Sequence, residues 1–155
     1  MKKQYMREAI ALAEKGAGQG DGGPFGALVV LDGEVIGHGW NRVLADTDPT
    51  AHAEMIALRQ AAQRLGNVHL TGATLYSSCE PCPMCLSAAY WAHVQHICYG
   101  ATADDAAAIG FDDHFIYQDL ARPREQRRIL LESVSREPVL ELFREWERSG
   151  GKVLY

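Results

Sequence analysis

Ser78-Cys79-Glu80-Pro81-Cys82-Pro83-Met84-Cys85 follows a short run, Ala73 to Ser77, and its last residues open a helical stretch, Pro83 to Ala92. The run reads as a buried strand, and Pro83 suits the first turn of a helix, where a missing N–H costs nothing. The stretch is therefore a loop leading from a strand into a helix. Cys82 and Cys85 stand three apart, so at a helix start their sulfurs share one face. The positive end of that helix also favours thiolate over thiol.

Thirty residues earlier stands His52-Ala53-Glu54. A catalytic zinc takes three protein ligands and keeps a fourth position for water, and one imidazole with two thiolates is an ordinary set. His52, Cys82 and Cys85 supply it. Glu54 is then the carboxylate that moves protons between that water and a substrate. His52 and Glu54 are two apart, which in mid-helix points them away from each other. They can share a site only over a helix N-terminus, and Asp48-Pro49-Thr50 is a helix-start signal just before them. Each half of the pattern alone is weak; the two together are the His-x-Glu and Pro-Cys-x-x-Cys signature of zinc nucleobase chemistry. Two other readings compete. Cys79-Glu80-Pro81-Cys82 is itself a Cys-x-x-Cys, but a thiol–disulfide site leaves His52 and Glu54 unexplained. A closed structural zinc site needs a fourth ligand, for which Cys79 is the candidate; Cys79 also suits the buried end of a strand.

The chain has 155 residues, 47% of them hydrophobic, which bounds it to one globular domain with a real core. A net charge of −5 argues against a broad nucleic-acid-binding face. Four cysteines, three of them within residues 79–85, do not resemble a secreted disulfide framework. Gln4, Arg7 and Glu8 stand where a signal peptide needs an apolar run, and no stretch is long enough to span a bilayer. A soluble protein of the reducing cytoplasm is expected.

Periodicity places a first helix at residues 3–15. The apolar run Phe25 to Leu31, the turn Asp32-Gly33 and Glu34 to Trp40 make a hairpin. A helix runs from about Thr50 to Leu65 and stops at Gly66. Further strands are expected at Val94 to Tyr99 and Ile129 to Leu131, and a short helix within Ala101 to Gly110. Gly110 to Tyr117 reads as an apolar loop carrying two acids. Ser135 is placed to cap a last helix, Arg136 to Arg148, with Val139, Leu142, Phe143 and Trp146 on one side. Gly150-Gly151 then frees a tail. This order predicts an α/β fold, a three-layer α/β/α sandwich around a central mixed five-stranded sheet. Arg122, Arg124, Arg127 and Arg128 form the one basic cluster; broken by Glu125 and without interleaved aromatics, it reads as a solvated or interface face. His38, His69, His93 and His96 show no ligand spacing with the motif.

Nearly end to end, the chain resembles bacterial guanine deaminases of the cytidine-deaminase-like fold. The matching blocks are Gly22 to Ala27, Asp48 to Glu54, Ser78 to Cys85, Tyr90-Trp91-Ala92, Gly110 to Tyr117 and the terminal Tyr155. The zinc blocks are shared with tRNA adenosine and cytosine deaminases, so Gly-Phe-Asp-Asp with Phe-Ile-Tyr and the final tyrosine discriminate best. The resemblance implies one zinc per subunit and hydrolysis of guanine to xanthine and ammonia. It implies purine contacts at Phe25, Asn41 and Ala53, and a second proton carrier at Asp113. It also implies a homodimer in which residues 149–155 swap so that Tyr155 closes a neighbouring pocket. His114 departs from the small polar residue unsurprising there. Competing substrates are cytosine, isocytosine or a triazine, and tRNA adenosine, which the acidic composition disfavours. A catalytically dead homologue would have no need of Glu54.

Overall fold

The computed structural model describes residues 1–155. Two compact units divide the chain, Met1–His114 and Phe115–Tyr155.

The first unit is built on four strands, β1 Gly26–Leu31, β2 Glu34–Trp40, β3 Thr74–Cys79 and β4 His96–Ala101, in the order β2-β1-β3-β4. β1 runs antiparallel to β2 and β3, while β3 and β4 are parallel, so the sheet is mixed. The parallel pair is joined by a helix, α3 Pro83–Trp91, as a parallel crossover requires. Helices α1 Lys2–Gln19 and α2 Ala53–Leu65 come before it in sequence, and α4 Ala103–Ala108 after β4.

Strand alternation decides which helix covers which face. Ala27 and Val29 of β1 pack with Ala53, Ala57, Leu58 and Ala61 of α2 and Ala89 of α3. Leu28 and Val30 point the other way and pack with Ala9 of α1 and Tyr76. Helices thus cover both faces, as the order of elements predicts. Small residues let α2 press close: a Cβ at Gly37 of β2 would collide with the Ala57 carbonyl oxygen.

The second unit contains α5 His114–Leu120, which begins at the last residue of the first, a 3-10 turn at Arg124–Gln126, and α6 Arg136–Arg148. No residue from 115 to 155 is buried.

Three expectations need correction. The sheet has four strands, not five: Ile129 to Leu131 are exposed, with a bend at Ile129 and without a ladder partner. An apolar triplet has the composition of a strand, but only a neighbouring edge supplies the hydrogen bonds. The segment expected as a loop to Tyr117 turns helical at His114, whose N–H is capped by the Asp112 carboxylate. The helix expected from Thr50 begins at Ala53. Asp48 Oδ1 accepts from Thr50 N at 2.7 Å and Thr50 Oγ1 at 2.8 Å, a turn that holds the chain out of helix until His52. By contrast α6 has the expected bounds, although Ser135 makes no side-chain cap. No helix is long and apolar enough to cross a membrane.

Candidate active site

Two helix N-termini meet at the site. His52 is the N-cap of α2 and Cys82 the N-cap of α3, both with extended backbone, at φ −71°, ψ 153° and φ −63°, ψ 167°. Glu54 and Cys85 lie within the first turns. This resolves the spacing problem: His52 leaves the chain from an extended residue and Glu54 from a helical one, so the two side chains converge.

His52 Nδ1 is 3.6 Å from Cys82 Sγ and 3.5 Å from Cys85 Sγ. The three ligand atoms lie within 4.8 Å of one another and could hold a metal ion. Ordinary zinc bond lengths and tetrahedral angles call for an N to S separation of about 3.6 Å. The donor set therefore fits zinc in both type and spacing. Cys85 and His52 hold the Cys82 thiol far below its usual range, to about 4. Cys85 is pushed up by the neighbouring Cys82 sulfur and by burial. A dication between them removes that conflict by deprotonating both.

Glu54 is 5% exposed, and its Oε1 accepts from Ser77 Oγ at 2.9 Å. Burial pushes its carboxyl up, against the pull of the Ser77 hydroxyl and the nearby His52. Cys79 stands apart from the metal group. Its Sγ–H donates to the Thr102 carbonyl at 3.6 Å, and burial raises the thiol to about 11. The fourth-ligand reading of Cys79 loses its footing there.

A cavity of about 630 Å³ opens over these residues, lined also by Phe25, Asn41, Phe111 and Asp113. Asn41 is buried; its Oδ1 accepts from Gly23 N at 3.3 Å and Val43 N at 3.2 Å. The amide NH2 is what remains to meet a ligand, so Asn41 is a donor there rather than both donor and acceptor. Phe25 meets Phe111 edge to face, centroids 5.0 Å apart. A Cβ at Gly23 would lie 2.7 Å from the Phe25 ring and 2.9 Å from that of Phe111, so glycine lets the loop close on the aromatic pair. Burial, then the charge of Cys82, raises the Asp113 carboxyl, and its buried Oδ1 has no partner. Ala53 is fully buried at the first position of α2, where the backbone N–H has no helical acceptor. Tyr155 belongs to the second unit and is exposed.

Ser77 and Phe111 escaped the reading of the sequence, and His114 was marked only as a departure with no assigned part. Ser77 carried a signal, being a hydroxyl residue near the end of the strand that leads into the cysteine loop. Phe111 stands in the quoted Gly-Phe-Asp-Asp block but had no assigned part.

A three-donor metal site beside a buried carboxylate, held by two helix N-termini against a mixed sheet, defines a zinc-binding deaminase. Residues 1–101 match the cytidine and deoxycytidylate deaminase zinc-binding region, and the chain belongs to that family. It is 45% identical over 151 residues to the guanine deaminase of Bacillus subtilis, covering 97% of each chain. Against a crystal structure of guanine deaminase from that organism the TM-score is 0.95, at 44% identity over 99% of this chain and 98% of that one. A tRNA-specific adenosine deaminase of Haemophilus influenzae is 41% identical over 73% of this chain and 65% of its own. A solved structure of a mutant protein in complex with 8-azaguanine aligns at TM-score 0.69 and 36% identity, over 73% of this chain and 65% of that one.

Proposed function

We propose that the chain hydrolyses guanine to xanthine and ammonia, with His52, Cys82 and Cys85 holding one zinc. The observation that carries this is a single cavity lined by His52 and Cys82 of the metal group together with Glu54, Asn41, Phe25 and Asp113. The bound metal supplies Lewis acidity that makes water a nucleophile near neutral pH. Phe25 lies against the flat face of the base, and the Asn41 amide donates to an acceptor on its edge. The Ala53 N–H, which has no helical acceptor at the first position of α2, is the second donor that the resemblance to guanine deaminases gives. Glu54 takes one proton from the attacking water and gives it to the ring nitrogen, while Asp113 protonates the departing amine and recovers the second water proton as the new carbonyl forms. Burial raises the Asp113 carboxyl, the direction that favours a proton donor. Likeness to guanine deaminase over 97% of this chain supports the substrate, since it extends into the second unit.

The test is ammonia release from guanine, cytosine and a tRNA anticodon hairpin by zinc-loaded protein. Turnover of either competitor without turnover of guanine rejects the assignment. Glu54→Ala retains zinc and loses kcat by about 10²–10⁴-fold.

The working form is a cytoplasmic homodimer in which the whole chain acts as one domain and the 149–155 tail crosses between subunits, Tyr155 closing a neighbour's cavity. The exposed Leu142, Phe143, Trp146 and Leu154 support an apolar surface that a second copy covers. Mixing Glu54→Ala protein with protein lacking Tyr155 restores activity if the tail crosses, and leaves both inactive if it does not.

A further inference from the structure

The ring of His114 lies between two acids. Its Nδ1 is 2.9 Å from Asp112 Oδ1 and its Nε2 3.2 Å from Asp104 Oδ1. Carboxylates only accept, so the Nδ1 contact is a hydrogen bond only when that nitrogen carries a proton, and the Nε2 contact with Asp104 is an ion pair only when the ring is charged. A neutral imidazole keeps one of them. Asp104 belongs to α4 and Asp112 to the loop that follows, so the doubly protonated ring ties that loop back to the helix before it.

The same loop carries Asp113, whose buried Oδ1 has no hydrogen-bond partner. Its place depends on the loop backbone. That backbone is held at one end by Phe111 N donating to the Ala106 carbonyl at 3.0 Å and by the Phe111 ring on Phe25. At the other end stands His114.

We propose that the His114 imidazolium is a positioning residue: it clasps Asp104 to Asp112, holds Asp113 at the cavity, and loses that hold when the ring is neutralised. The role in turnover rests on Asp113 acting as the second proton carrier. The charged groups facing the ring are Asp104 from α4 and Asp112 and Asp113 from its own loop, all acids. They raise its pKa above the ordinary imidazole value, the Asp112 hydrogen bond first among the causes. The clasp is therefore complete below the ordinary imidazole range and fails as pH rises through the raised value.

The test uses zinc-loaded full-length protein as wild type, H114S, D104N and the double variant. It measures kcat and KM for guanine from about pH 6 to about pH 9, a window spanning imidazole titration. NMR follows the His114 ring, and hydrogen exchange follows residues 110–113. Each single variant lowers kcat about tenfold at the acid end, with KM moved less, a modest loss for a misplaced group. The ratio to wild type closes at the alkaline end, the double variant is no worse than H114S, and D104N lowers the His114 titration and speeds loop exchange. A ratio constant with pH, additive losses, or a His114 titration unmoved by D104N overturns the clasp. Wild type that releases no ammonia from guanine defeats the functional reading instead; the titration and exchange in D104N still decide the clasp.

Discussion

The two units treat their apolar residues in opposite ways. In the first, Leu75, Val29 and Leu70 are almost wholly enclosed, and both faces of the sheet are covered by helices from the same unit. In the second, Leu142 is 59% exposed, Leu130 81% and Leu154 79%, and α6 presents its apolar side uncovered. Equal hydrophobicity thus has unequal consequences. An apolar side chain stabilises a fold only to the extent that something removes it from water. The first unit meets that condition alone and carries the metal residues; the second leaves its large apolar side chains in water.

The largest effect that can break this contrast is loss of the metal. Cys85→Ser removes a ligand at the centre of the first unit, so zinc content by mass spectrometry falls to background and turnover with it. Residues 1–114 expressed alone should still bind one zinc and melt cooperatively. A shortened chain that holds no metal would show that the first unit does not stand by itself.

Core truncation sharpens the same contrast. Leu75→Ala, at a fully enclosed position, should cost about 2–5 kcal/mol in denaturant unfolding. Leu142→Ala should cost less than about 1 kcal/mol in dilute protein, where its site is exposed. Only in concentrated protein should its cost grow, as a shared apolar surface requires. Equal costs at both sites in dilute solution would dissolve the distinction between the units.

The smallest effect concerns α4. The Asp105 carboxylate accepts from Thr102 N and Oγ1 at 2.8 Å each, closing a capping box that lowers its pKa. A depressed carboxylate stabilises fully above its unfolded value, and that contribution fades as pH falls through the folded one. Asp105→Asn should lower Tm slightly at neutral pH and not at all in strong acid. A deficit persisting in acid would assign the effect to packing.

The sequence alone determined a good deal. The gathering of His52, Cys82 and Cys85, with Glu54 beside them, was legible because coordination tolerates few residue types at few spacings. The hairpin, α2 to its stop at Gly66, and α6 were legible because period and turn chemistry are local. Where Ile129 to Leu131 would go was not, since a strand is made by its neighbour. Nor were Ser77 against Glu54, the two backbone donors that turn Asn41 into a donor, or the acids on either side of His114. Those contacts join residues distant in sequence, or depend on which way a short loop turns. Residue types and spacing named the chemistry; only the meeting of two helix ends, brought together by packing on the sheet, put its parts within reach of one another.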